Sequence, residues 1–109
     1  MKEIIETFRN LETVLSQVSS VKSLFTKESG FNEVFEKACR LSDFLIKEPV
    51  VKTEHFDFRE TVRFVIEQLE ILRSCVEEGI DHLEGYSIED RLNTIKVALA
   101  DVNRFLVGK

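Results

Sequence analysis

The apolar residues of this chain recur at alternating steps of four and three. Phe58, Val62, Val65, Leu69, Leu72 and Val76 form one such series, and Ile88, Leu92, Ile95, Leu99, Val102 and Leu106 form another. Steps of that kind return to one side of an α-helix, so each series predicts an amphipathic helix with a heptad-like seam. The breakers agree: one Pro and four Gly in 109 residues favour a few long helices over many short strands.

Two more helices come from the first half. Ile4, Phe8, Leu11, Leu15, Val18 and Phe25 keep the four-three spacing with a single miss at Lys22, while Val14 and Val21 widen the stripe. This predicts a helix over 2–27, stopped by Ser29 and Gly30. Phe31, Val34, Phe35, Ala38, Leu41, Leu45 and Ile46 share one side of a helical wheel, opposite Glu33, Glu36, Lys37, Arg40, Asp43 and Lys47. That helix, 31–47, ends before Pro49, because the residue preceding a proline avoids the helical region. PVVKTEHF, 49–56, is expected to be extended.

Asp57 with Glu60 resembles a capping box and starts the third helix at Phe58. Ile80 and Leu83 continue its face, so the helix is expected to run to Glu84, with Gly79 as an internal weak point costing about 1 kcal/mol against Ala. Gly85 then caps it, Ser87 with Asp90 forms the next capping box, and a fourth helix covers 88–107. Four amphipathic helices with short loops predict a single all-α domain, an antiparallel four-helix bundle. A helical hairpin that completes its core by dimerising is the alternative. No segment alternates with period two over a useful length, so no sheet is expected.

Composition narrows the function. Hydrophobic residues at 43% and charged residues at 32% describe a globular chain. A net charge of −5, with no run of Lys and Arg, argues against nucleic acid or an anionic membrane as partner. No apolar run approaches the roughly 18 residues of a membrane span. Two cysteines, Cys39 and Cys75, make no disulfide framework, and no basic segment leading into an apolar run opens the chain. The expected location is the cytoplasm.

One feature exceeds what a simple bundle needs. Phe64, Ile71 and Cys75 lie together on the third helix, roughly 120° from its completed seam, and Phe44 projects from the charged side of the second. Either the third helix is central and touches neighbours on two sides, or these four residues form an interface. Monomers rarely leave contiguous apolar patches in water, and two-fold self-pairing is the commonest assembly. The expectation is therefore a non-enzymatic protein-interaction module (an adaptor, chaperone-like binder or assembly subunit), self-associating as a homodimer through Phe44, Phe64, Ile71 and Cys75. Ser16, Ser19, Ser20 and Ser23 make a small polar side on the first helix, either solvated or a second contact face.

Chemistry has few footholds. The stretch EEGIDHLEGYSIED, 77–90, gathers acids around His82, and could be a site or a corner between helices. Metal sites in helical bundles use Glu-x-x-His pairs, but Lys52 precedes His55 and Gly79 precedes His82 at that spacing. On a straight helix the two histidines stand about 40 Å apart, and Glu78 with His82 supplies too few ligands for zinc. No metal and no cofactor is expected. Cys75 and His82 are two turns apart, about 10 Å along the axis, too far for a nucleophile and its base. Glu77 with Glu78, and Glu89 with Asp90, are adjacent pairs that diverge by about 100° on a helix and read as solvated or helix-start charges.

His82, Leu83 and Gly85 invite comparison with histidine phosphotransfer domains. These are four-helix bundles of similar size, with an exposed His on a helix followed by Leu, Lys and Gly. Here Leu83 and Gly85 arrive one residue early and Glu84 replaces the Lys. What this comparison implies is an alternative function, phosphotransfer signalling with His82 as phosphoacceptor. A phosphoryl group there would meet the like charges of Asp81 and Glu84.

Overall fold

The computed structural model describes residues 2–18, 20–47 and 58–107, and the side chains of these other than 27, 44–47, 58 and 107. The fold is predominantly helical. Among the described residues the α-helices are α1 (Lys2–Gln17), α2 (Val21–Leu24), α3 (Phe31–Lys47), α4 (Phe58–Glu78) and α5 (Ile88–Val107). A 3-10 turn, Lys27–Ser29, precedes α3, and two short strands, β1 (His82–Leu83) and β2 (Tyr86–Ser87), join α4 to α5.

Packing is cyclic. α1 lies against α3 and α5, α4 lies against α3 and α5, and α2 touches α4 and α5. The seams supply the core: Phe8, Leu11 and Leu15 of α1, Val62, Val65, Leu69 and Leu72 of α4, and Ile95, Leu99 and Val102 of α5 are all completely buried. Phe31 and Phe35 stack with ring centroids 5.0 Å apart, and Phe25 meets Phe31 edge-on at 5.0 Å. The Arg73 guanidinium of α4 covers the outer side of this cluster, 5.3 Å from the Phe35 ring. Among the described residues three polar side chains are buried, Thr7, Ser42 and Asn103, and the last links two helices: Asn103 donates to Phe8 O at 3.1 Å and to Glu12 Oε1 at 2.7 Å, tying α5 to α1.

Three expectations need correction. The helix expected over 2–27 breaks after Gln17. A continuous helix would turn Lys22 toward the core. Instead the chain is extended at Ser20, whose hydroxyl accepts from Ser23 N–H at 3.2 Å and starts α2. The restart brings Val21 and Leu24 to full burial, while Phe25 is only half-buried. The first amide of α2 is satisfied from far away in sequence: Val21 N–H donates to both Glu89 oxygens, at 3.1 and 2.9 Å. The serine side is thus a break with a cap. Ser19 itself lies outside the described residues.

The third helix does not run to Glu84 but ends at Glu78. Gly79 takes the left-handed conformation, φ 74°, where a side chain is disfavoured. Its N–H donates to Val76 O at 3.2 Å, and Ile80 N–H donates to Cys75 O at 2.8 Å, the paired bonds of a Schellman motif. Gly79, not Gly85, is therefore the helix stop.

Nor is the chain free of strand. His82 pairs with Ser87 and Leu83 with Tyr86 in an antiparallel hairpin. Its two-residue loop holds Glu84 at φ 55° and Gly85 at φ 86°, the two positive values that a type I′ turn requires. Strands of two residues are too short to show period-two alternation. The next helix start is as expected: Asp90 N–H donates to Ser87 Oγ at 3.2 Å. The expected extended segment 49–56, with His55 and Asp57, lies outside the described residues.

Candidate functional site

The α4–hairpin–α5 corner holds most of the residues singled out from the sequence. On α4, Phe64 and Ile71 lie off the buried seam, each 37% exposed, while Cys75, one turn beyond Ile71, is only 4% exposed. The reason for the difference is the hairpin. Because α4 stops at Gly79, the following residues fold back over its outer face, and Ile80 and Leu83 are partly buried against the core cluster. Ile71, Cys75, Ile80 and Leu83 line one shallow depression of about 470 Å³, with Glu67, Glu70 and Glu78 completing its walls. Cys75 is floor, not exposed patch.

Phe64 belongs to a second depression, about 270 Å³, shared with Tyr86 of β2 and with Gln68, Arg91 and Thr94. Arg91 fixes this corner. Its guanidinium donates to Gln68 Oε1 at 2.9 Å, Glu84 Oε2 at 3.1 Å and Leu83 O at 3.5 Å, holding the hairpin against α4 and α5. The stripe expected on the third helix is therefore divided between two depressions of different character. Phe44 lies on α3, but its side chain is outside the described residues.

Two exposed apolar residues escaped the sequence reading. Tyr86 is 65% exposed and Val97 64% exposed. Val97 lies one turn beyond Thr94 on α5, outside the lining of the Phe64 depression. The signal was available: Val97 is apolar yet falls between the seam positions Ile95 and Leu99.

The nucleophile and metal candidates stay apart. Cys39 and Cys75 are free thiols. Cys39 is half-buried, and desolvation first, then the charge of Glu70, push its thiol above the ordinary range. Among the described residues, no group of three or more His, Cys, Asp and Glu is placed to hold a metal ion. No described helix is long and apolar enough to cross a membrane. His82 is exposed on β1, four residues past the end of α4, so the helix on which the phosphotransfer comparison depends is not beneath it. Of the carboxylates, Glu89 has a specific task, receiving the Val21 amide.

No protein-family model matches the chain, and neither the curated proteins nor the solved structures give a match.

Proposed function

We propose that this protein is a non-enzymatic protein–protein interaction module. In this reading its long helices form an up-and-down bundle, and the outer face of α4 and α5 binds another protein surface, in the simplest case a second copy. The observation that carries the reading is the apolar exposure of Phe64 and Tyr86 around one depression, with Val97 exposed on α5, in a chain that buries most of its seam residues. Aromatic residues in a partly desolvated pocket are the usual anchors of an interface. The surroundings suit self-pairing: Asp90 and Arg91 supply both signs of charge, and Gln68 and Thr94 are neutral. A two-fold pairing then sets no excess of one charge against itself.

Sedimentation velocity across a wide concentration range tests this. The expected result is a monomer–dimer equilibrium that Phe64→Ser shifts to monomer while circular dichroism stays helical. A wild-type chain that remains monomeric at the highest concentration removes self-association. Loss of helical signal in Phe64→Ser would assign that residue to the core instead.

A further inference from the structure

We infer that the second depression, over the C-terminal half of α4, docks a cationic amphipathic helix of another protein. The site differs from the Phe64 face in its electrostatics. Its floor is apolar, made by Ile71, Cys75, Ile80 and Leu83, and its charged lining is of one sign, Glu67, Glu70 and Glu78. No Lys or Arg lines it among the described residues. All three carboxylates are exposed, and among the described residues none is held in an ion pair. A surface with an apolar floor and unneutralised acids on its walls is complementary to a helix with an apolar stripe flanked by Lys or Arg.

The same charges discriminate among occupants. A second copy presenting this face would set Glu67, Glu70 and Glu78 against their own counterparts, and juxtaposed like charges cost several kcal/mol. Nucleic acid and anionic lipid are repelled for the same reason. The dimensions fit a helix. Glu67, Ile71, Ser74 and Glu78 follow one line along α4, and Glu67 to Glu78 spans about 16 Å, three turns of a partner laid alongside. A partner with apolar residues at i, i+3, i+4 and i+7 would seat two turns on the floor and keep its cations beside the acids.

The probe is a synthetic amphipathic helical peptide with Leu at those four positions and Lys flanking them, compared with the same peptide carrying Glu for every Lys. Binding to the full chain is followed by fluorescence anisotropy. The Lys peptide is expected to bind at least about tenfold more tightly than the Glu peptide, and to weaken as NaCl is raised. The triple variant Glu67→Lys, Glu70→Lys, Glu78→Lys should reverse the preference, and Ile71→Ser should weaken the Lys peptide without altering the circular dichroism. If the triple variant does not fold, Glu70→Lys alone must lower Lys-peptide affinity. Equal binding of the two peptides, no binding of the Lys peptide, or binding indifferent to these substitutions overturns the proposal. Phe64→Ser should leave peptide binding intact, which separates this site from self-association.

Discussion

Gly79 shows how the conformation of one residue sets the sign of a mutation. In a helix interior, Gly→Ala stabilises by about 1 kcal/mol, because glycine has more backbone entropy to lose. Gly79 instead sits at φ 74°, and a Cβ added there would meet no atom within 4 Å, so only the backbone conformation opposes it. Gly79→Ala is therefore expected to destabilise by about 1 kcal/mol, read as a lower urea midpoint with unchanged slope. A rise in midpoint would mean the helix continues through residue 79. Glu84, at φ 55°, is the one described non-glycine residue with positive φ, and the Arg91 contact to its carboxylate offsets part of that strain. At Cys39 the raised thiol range favours the protonated form in the folded chain. The sign follows: this group contributes stability below the ordinary thiol range and loses it as pH rises through the raised value. Alkylation by iodoacetamide at mildly alkaline pH should be slower at Cys39 in the folded chain than in urea, and slower still at nearly inaccessible Cys75.

At the scale of elements, what was legible was local. The seams of α4 and α5 follow from four-three spacing, and the Ser87 cap from residue type. What was not legible depended on partners distant in sequence or on backbone signs that a wheel does not represent. The Lys22 miss marked the break in the first helix, but the restart at Val21 leans on Glu89, 68 positions away. Ile80 and Leu83 fit the α4 face so well that a continuous helix was the natural expectation. Only the left-handed Gly79 turns them back over Ile71 and Cys75, making a depression where a stripe was expected. The α1–α2 break can be tested through its remote cap. Glu89→Ala removes the carboxylate that receives the Val21 amide, and should cost about 1 kcal/mol more than Asp90→Ala, which removes only a first-turn charge. Equal losses in urea denaturation would show that the Val21 contact contributes nothing. Faster hydrogen exchange at Val21 in the Glu89 variant alone would localise the effect.

For the whole molecule, the two depressions on one corner predict two binding events with opposite responses to salt. The proposed self-association through Phe64, Tyr86 and Val97 would be mainly burial of apolar surface, which added salt does not weaken. Docking over Glu67, Glu70 and Glu78 is mainly attraction between exposed charges. The screening length falls from about 10 Å at 0.1 M salt to about 3 Å at 1 M, so this attraction fades over that range. Raising NaCl should therefore release the Lys peptide while the dimer fraction at fixed protein concentration holds or grows. The substitutions should separate in the same way: Phe64→Ser abolishes the dimer and spares the peptide, and Glu70→Lys weakens the peptide and spares the dimer. If salt removes both together, or if Phe64→Ser abolishes both, the two depressions act as one surface. Arg91, which pins Leu83 and Glu84 against Gln68 between them, would then be the residue that couples them.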